Sequence, residues 1–599
     1  MKTMLTVLAL FILTTFATSQ VTVSTAYNYN SADSFQTALG SIRGVGYDAD
    51  LMGDGVSAIA ATNYNLGGVV HVFAAVGNDS IELKWTSPVP PPPAGGSTPR
   101  YVAFGDLDND GLKEVIYQSN ENGFLIYEWD GVPGSWNFGT TPSQIIDGTY
   151  FPAVSGYTEE FEILDIDGDG TNELITSMNP ASSANDGFFV VSAVGEWATD
   201  DPGFSGFTVE FQALRPDYGD YGLGGSPMGM FSAQLDGVGN REAIMHNWNF
   251  KNVTVLRATG ADTYEMADNT NGKQNYFLTG EDDDVALFGG IACDVNGDGR
   301  EEAFLPTYNQ SGNHVGEIHM IHYADGQSVS EIDSTNVTVI DASEFFTSSS
   351  FGYGFGDIDK DGNVNVYTSG AYGTNVVSLE FQGGDLTDST NWLVEVLYAG
   401  EPTILDAITY KDSLGVLDTI KTVNTGFVSK LYGQYTDFDK DGLEDIILPY
   451  QSVGDSITVT NSVWNEDSVK FIDTSYKIVN PKRWSLRIIE GTKSTALEGK
   501  DVTVITPDDY KLNQNYPNPF NPTTNIEFYL PIKKNITLTI YNAMGQKVKT
   551  LVNGLMGKGN HTIQWDATNE SGVKVATGMY IYELRFGNFK QSKRMMLVK

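Results

Sequence analysis

One short pattern recurs along this 599-residue chain and limits its possible folds more than any other feature. The stretch DLDNDGLKEVIY begins at Asp106, DIDGDGTNELIT at Asp165, DVNGDGREEAFL at Asp294, DIDKDGNVNVYT at Asp357 and DFDKDGLEDIIL at Asp437. Two weaker copies complete the series: DADLMGDGVSAIA from Asp48, lengthened by two residues, and QLDGVGNREAIM from Gln234, which has lost some acids. Successive copies lie about 60 residues apart, widening to about 80 before the last, which leaves room in each interval for one four-stranded sheet and its turns. Seven copies predict seven sheets.

Each strong copy carries an acid or amide at its first, third, fifth and ninth positions, glycine at the sixth, and a β-branched or aromatic run straight after. Oxygen donors at alternate positions converge only if the chain coils tightly around a point, and glycine permits the sharp turn at positive φ. Ca2+ best fills such a point. The candidate ligands are Asp106, Asp108, Asp110 and Glu114; Asp165, Asp167, Asp169 and Glu173; Asp294, Asn296, Asp298 and Glu302; Asp357, Asp359, Asp361 and Asn365; and Asp437, Asp439, Asp441 and Asp445. At the seventh position Leu112, Thr171, Arg300, Asn363 and Leu443 would offer main-chain carbonyls. Four carboxylates within a few ångströms carry about −4 and repel one another, a strain that a bound cation relieves.

An EF-hand would need glutamate at the twelfth position, where these copies have Tyr117, Thr176, Leu305, Thr368 and Leu448, inside predicted strands. Dockerin-like pairs fail for the same reason. Solvated Asp-Gly turns explain a single copy, but not intact copies at near-regular spacing. In the weak copies Ala58 takes the ninth position of one and Val238 the fifth of the other, so one ion is expected per strong copy only.

The chain has 35 Lys+Arg against 76 Asp+Glu, a net charge of −41. That argues against nucleic acid as a partner, since phosphate backbones need a basic footprint. A single cysteine excludes an internal disulfide framework and Cys-based zinc or iron–sulfur sites. Hydrophobic residues at 41% and aromatics at 12% suffice for packed cores, so the acidity does not signal disorder. At the start, MKTMLTVLALFILTTFATSQ places Lys2 before an apolar stretch from Leu5 to Phe16, then the small residues Ala17 and Ser19. This reads as a secretory signal peptide over residues 1–19, and the apolar run is shorter than the ~20 residues of a spanning helix. An exported, soluble protein with no transmembrane segment after signal removal is expected.

Phe104-Gly105-Asp106, Phe355-Gly356-Asp357 and Phe288-Gly289-Gly290 ahead of Asp294 resemble the FG-GAP/VCBS repeats of the integrin α-subunit head. The resemblance covers roughly residues 21 to 506. It implies a seven-bladed β-propeller over 20–506 whose calcium loops lie at blade edges and brace the architecture. The alternating stretch VTVSTAYNY from Val21 offers a strand to close the last blade on the first.

Composition shifts near Pro507, after which twelve Lys+Arg face six Asp+Glu and the acidic loops stop. Runs such as NIEFYL, ITLTIYNAMGQKVKTL, HTIQWDA and GMYIYELRF, separated by Gly and Asn turns, suggest a small β-sandwich over 507–599. Asn515-Tyr516-Pro517-Asn518-Pro519-Phe520, Tyr541-Asn542 with Gly545, Gly578 with Tyr580, and Lys593 to Lys599 closely resemble the type A C-terminal sorting domain of type IX (Por) secretion. That module is immunoglobulin-like and related to the flagellar-hook capping fold. The resemblance implies the type IX secretion machinery as a partner and a secreted or cell-surface location in a Gram-negative, Bacteroidetes-type bacterium. A carbohydrate-binding or adhesive sandwich is the alternative.

No GxSxG elbow, HExxH motif or phosphate-cradling P-loop occurs. His314, His319 and His322 form the only histidine cluster, and the spacing of the last two sends them to opposite faces of a strand. Cys293 stands where other copies have glycine and reads as a small buried residue. Two long intervals hold extra chain, about Asp200 to Phe231 and Gly383 to Tyr435, as binding loops, ordinary rim loops or additional edge strands. Pro88 to Gly96 reads as a stiff surface loop, and Asp412-Ser413-Leu414 and Asp455-Ser456-Ile457 resemble O-glycosylation triplets of this bacterial group.

These readings predict an all-β chain, a seven-bladed β-propeller followed by a small immunoglobulin-like β-sandwich, acting as a calcium-stabilised surface binding or adhesion protein for an extracellular glycan or protein. An extracellular polysaccharide-degrading enzyme on a propeller scaffold and a structural component of a surface layer or filament are the alternatives.

Overall fold

The strand after each acidic loop shows why the chain builds stacked sheets. Ala58–Asn63, Glu114–Ser119, Glu173–Met178, Glu242–Asn247 and Asn365–Gly370 are buried along their whole length. Such strands must be covered on both faces. In the second sheet Val115, Tyr117, Leu125 and Tyr127 pack toward the first, while Ile116, Phe124 and Ile126 pack toward the third.

The computed structural model describes residues 23–30, 42–491 and 511–598, short breaks within these ranges excepted, the longest at 91–97, 219–226, 268–275, 278–285 and 309–315. The signal-peptide segment lies outside the described residues. The chain divides into a unit of residues 1–494 and one of 495–599.

Seven antiparallel sheets follow one another among the described residues of the first unit. Blade 1 is Val45–Asp48, Ala58–Asn63, Val69–Gly77 and Ser80–Thr86. Blade 2 is Val102–Gly105, Glu114–Ser119, Gly123–Glu128 and Gln144–Ile146. Blade 3 is Glu162–Leu164, Glu173–Met178, Gly187–Val194 and Gly206–Leu214. Blade 4 is Pro227–Ala233, Glu242–Asn247, Asn252–Gly260 and Thr263–Met266, with Tyr276–Phe277 added on the third strand. Blade 5 is Ile291–Cys293, Glu302–Tyr308, Glu317–Ile321 and Val337–Asp341, with Ala286–Leu287 beside its second strand. Blade 6 is Ser350–Gly356, Asn365–Gly370, Asn375–Phe381 and Trp392–Ala399.

Blade 7 joins the two ends of the ring. Phe427–Val428, Asp445–Gln451 and Trp484–Gly491 take Val23–Asn30 as their fourth strand, paired from Val23 opposite Gly491 to Asn30 opposite Ser485 with one irregularity between Thr25 and Tyr27. The strand expected near Val21 therefore closes the ring. Apolar clusters fill every gap between consecutive blades, including the last, where Val45, Ile59 and Phe73 of blade 1 meet Phe438, Ile447 and Ile488 of blade 7. Blade 6 meets blade 7 through Tyr367, Val376, Ile446 and Ile489. The unit is a seven-bladed β-propeller.

One further sheet lies outside the seven blades, and its first hairpin falls in the long Gly383 to Tyr435 interval. Thr403–Lys411 and Val416–Asn424, leaving between blades 6 and 7, pair with Asp455–Asn465 and Lys470–Asn480, leaving from within blade 7. The two hairpins join through a short parallel contact at Thr409–Thr460 and Tyr410–Asn461.

The second unit is a two-sheet sandwich. Lys511–Leu512, Thr524–Leu530 and Gly559–Trp565 form one sheet. Lys547–Met556, Lys534–Asn542, Gly578–Phe586 and Phe589–Leu597 form the other, in that order. Thr524–Leu530 alternates buried and less buried positions, and Ile526, Phe528, Leu538, Trp565 and Tyr582 are among its core.

Candidate metal centres

Each acidic loop joins the innermost strand of a blade to the second, so all seven emerge at one end of the propeller. The turn is set by two left-handed residues. The sixth position is glycine throughout, for example Gly111 at φ 89 and Gly442 at φ 88. The fourth is left-handed too, and there the sequence admits Asn109 (φ 62), Lys360 (φ 58) and Lys440 (φ 62) beside glycines. That second reversal was missed, because its residue type varies. The second position anchors the loop: Leu107, Ile166, Val295, Ile358 and Phe438 are all buried.

Local hydrogen bonds hold the coil. The sixth-position N–H donates to the first aspartate, from Gly111 to Asp106 at 3.1 Å, Gly170 to Asp165 at 3.0 Å, Gly299 to Asp294 at 2.8 Å, Gly362 to Asp357 at 3.1 Å and Gly442 to Asp437 at 3.0 Å. The seventh-position N–H of Leu112, Thr171, Arg300, Asn363 and Leu443 donates to Asp110, Asp169, Asp298, Asp361 and Asp441 at 2.7 to 2.9 Å. Asn296 donates to Asp298 at 3.2 Å and to Glu302 at 3.4 Å.

The ninth residue points its carboxylate back under the loop. One oxygen of Glu114, Glu173, Glu302 and Asp445 accepts the second-position N–H of Leu107, Ile166, Val295 and Phe438 at 2.8 to 3.1 Å. The other oxygen of Glu114 is buried without a hydrogen-bond partner, as are Asp106 Oδ1, Asp108 Oδ1 and Asp437 Oδ1. Carboxylate oxygens lie within 4.8 Å of one another in Asp106, Asp108, Asp110 and Glu114; in Asp165, Asp167 and Glu173; in Asp357, Asp359 and Asp361; and in Asp437, Asp439 and Asp445. These clusters could bind a metal ion. Burial, then the neighbouring carboxylates, pushes Glu173 up to about 9 and Glu302 and Asp445 up to about 8.

Blade 6 solves the ninth position differently. Asn365 donates Nδ2 to Glu380 Oε2 at 2.9 Å, and its Oδ1 is left buried with no hydrogen-bond partner. Glu380 sits opposite Asn365 on the next strand, as Glu128 does opposite Glu114 and Glu490 opposite Asp445. These third-strand acids were also missed. Their signal was an isolated acid ending an apolar run, as in GFLIYE.

The loops are tied to one another around the ring. Asn172 of blade 3 donates to the Asp106 carbonyl at 2.6 Å, and Asn240 of blade 4 to that of Asp167. The Trp197 N–H, in the outer turn of blade 3, donates to Asp108 at 2.7 Å, and the Asp262 N–H of blade 4 to Asp167 at 2.6 Å. Glu444 of blade 7 accepts the Asp357 N–H at 2.7 Å, and Lys360 reaches the Gly442 carbonyl.

The first loop needs a correction. Gly55 donates to Asp50 at 2.7 Å and Val56 to Asp54 at 3.0 Å, so position one is Asp50 and the loop has no insertion. Met52 then fills the third position and is buried. Near the two weak loops Lys113 pairs with Asp48 at 2.6 Å, Lys440 reaches the Gly55 carbonyl, and Arg241 pairs with Glu301 of blade 5 at 2.7 Å.

The model of the FG-GAP-like repeat family matches residues 106–176, across the loops of blades 2 and 3. The FlgD Ig-like domain model matches residues 518–585 of the sandwich. No curated protein matches. Among solved structures, PorZ of Porphyromonas gingivalis, described as an essential bacterial surface component of the type IX secretion system, aligns over 93% of this chain and 75% of its own, at 10% identity and TM-score 0.24. The propeller assignment rests on strand order and ring closure, not on that alignment.

Elsewhere the sequence readings meet simpler structure. His319 is buried beside Glu317, while His322 faces Thr338 at 3.1 Å; His314 lies outside the described residues. Cys293 is buried in the interface of blades 5 and 6. Much of the extra chain after Asp200 is the outer strand Gly206–Leu214 and a helical turn at Arg215–Tyr218. The triplet at Asp412 and most of the proline-rich stretch lie outside the described residues, whereas Asp455–Ile457 begins a strand. Among the described residues no helix is long and apolar enough to cross a membrane.

Proposed function

We propose that the protein is a secreted, calcium-stabilised β-propeller that acts as a binding or adhesion protein at the bacterial cell surface, delivered by type IX secretion through its C-terminal sandwich. The observation that carries this reading is the set of buried, unpartnered oxygens in the loops, Glu114 Oε1, Asp106 Oδ1, Asp108 Oδ1, Asp437 Oδ1 and Asn365 Oδ1. Buried oxygens without a donor are costly and are satisfied by a hard cation, for which an all-oxygen donor set favours Ca2+. Asp106, Asp108, Asp110 and Glu114 would hold it in blade 2, the corresponding residues in blades 3, 5, 6 and 7, with the seventh-position carbonyls completing each shell.

Those loops are engaged in bracing, which leaves the opposite end of the propeller for a ligand. The chain entries to the innermost strands and the turns between second and third strands emerge there, as do both hairpins of the added sheet. The delivery role is supported by the FlgD-like match, the basic sandwich and its Asn515–Phe520 segment, which is pinned by Tyr582 donating to the Asn513 carbonyl at 2.7 Å and accepting the Asn515 N–H at 2.8 Å.

A glycan array probed with the calcium-loaded protein, run beside a reducing-sugar release assay, tests the binding role: selective retention without sugar release is expected, and release of sugar would overturn it. Truncation after residue 506 in a type IX-competent bacterium should abolish surface delivery, and undiminished delivery would overturn the sorting role.

A further inference from the structure

Among the five strong loops, that of blade 6 alone has an amide at the ninth position, Asn365, where blades 2, 3, 5 and 7 have Glu114, Glu173, Glu302 and Asp445. In blades 2, 3 and 7 an oxygen of the ninth residue lies within 4.8 Å of the loop aspartates' oxygens, so this position faces the cluster. The two ends of an amide are not alike. Turned one way Asn365 offers a cation its Oδ1; turned the other way it presents an NH2 that repels one. Something must choose.

Glu380 makes that choice. It stands opposite Asn365 on the next strand of the blade, Asn375–Phe381, and the two residues are 5% and 1% exposed. A carboxylate accepts and does not donate, so Asn365 turns Nδ2 toward it, 2.9 Å from Glu380 Oε2. That directs Oδ1 away from Glu380, and Oδ1 is buried with no hydrogen-bond partner. The other oxygen of Glu380, Oε1, accepts Nδ2 of Asn363 at 3.2 Å and Nε2 of Gln382 at 2.5 Å. Amide donors therefore face both oxygens of Glu380, and neither is left to reach a cation. One carboxylate holds the side chains of the seventh and ninth residues, both of which carry candidate ligand oxygens. Glu128 and Glu490 occupy the same place in blades 2 and 7, but they stand opposite carboxylates, whose two oxygens are alike and need no such choice.

We propose that Glu380 is the positioning residue of the blade 6 calcium site: it turns the Asn365 amide so that Oδ1 rather than Nδ2 faces the Asp357, Asp359 and Asp361 cluster, and it steadies Asn363 beside it. The proposal rests on the calcium reading of the loops and names a residue outside the loop on which one of them depends.

The test is calcium content of the mature chain after equilibrium dialysis, at a free calcium just sufficient to fill the unaltered protein, with a melt in calcium to confirm folding. Glu380→Gln keeps the shape but brings its own NH2, which meets the donors already there and turns Asn365 over. It should bind one ion fewer per chain, the blade 6 affinity falling by about ten-fold or more. Adding Asn365→Asp to that variant supplies a ninth carboxylate that accepts from the new amide, and should restore the ion. A purely architectural Glu380 would change neither count. Asn365→Asp alone sets two carboxylates against each other across the 2.9 Å contact, so it should melt below the unaltered chain in EDTA and recover in calcium, a result that does not need Glu380→Gln to fold. Full calcium content in folded Glu380→Gln, no recovery in the double variant, or an EDTA melt unchanged by Asn365→Asp would overturn the positioning role and leave the calcium reading standing. No bound calcium in the unaltered chain would overturn both.

Discussion

Glu114 divides its carboxylate between two tasks. One oxygen holds the Leu107 N–H and shapes the loop; the other faces the cluster with no hydrogen-bond partner. Burial first, then Asp108 and Asp106, drives its pKa well above the usual carboxylate range. Glu114→Gln keeps an acceptor for Leu107 and removes a charge. In EDTA the variant should melt at or above the unaltered protein; in calcium it should melt below it. Differential scanning calorimetry in both conditions checks this crossing, which a purely structural glutamate would not give. Glu160 makes a separate prediction. Burial, with Glu162 adding to it and Lys430 opposing, raises it to about 8. As pH climbs from about 4.5 the unfolded chain loses this proton while the folded chain keeps it, so stability declines until pH passes the folded value. Unfolding free energies from urea titrations at pH 5 and pH 9 should differ on this account by on the order of a few kcal/mol, with the lower value at pH 9, and Glu160→Gln, which can still meet Tyr353 and Gly290, should remove that part of the difference.

At the scale of elements, Val23–Asn30 ties the start of the chain to Trp484–Gly491. A chain beginning after Asn30 should leave blade 7 with an open edge and lower the melting temperature by ten degrees or more; an unchanged melt would show that the ring does not need this clasp. The added sheet predicts the opposite. Replacing both hairpins together, over 400–426 and 452–483, by short Gly/Ser linkers should leave propeller melting unchanged, because the pairing of Asp445–Gln451 with Trp484–Gly491 does not involve them. These elements also mark what was legible. The glycine turn, the oxygen spacing and the closing strand were visible in the sequence, because each depends on local residue type or alternation. The added sheet was not: its halves are far apart in the chain, and its second hairpin reads like an ordinary part of the last blade. Position one of the first loop was misplaced to Asp48 because Met52 replaces the third acid, leaving two aspartates to choose between. The ion pairs of Arg43, Arg100 and Lys430 with Glu159 were invisible, since only ring closure brings blade 7 beside blades 1 to 3.

For the whole propeller unit, seven sheets share one repeated solution at one end and differ at the other. Four loops gather carboxylates around a point, and side chains pass from loop regions to neighbouring ones. At free calcium about ten times the dissociation constant each occupied loop would contribute about 1.4 kcal/mol, so the set would rival the stability of an ordinary domain. The most direct measurement is calcium content after equilibrium dialysis, followed by melting before and after complete chelation. About five bound ions per chain and a melting temperature lowered by well over 10 °C in EDTA are predicted. Absence of bound calcium under saturating conditions, together with an unchanged melt, would contradict a ring held in shape by its metal loops.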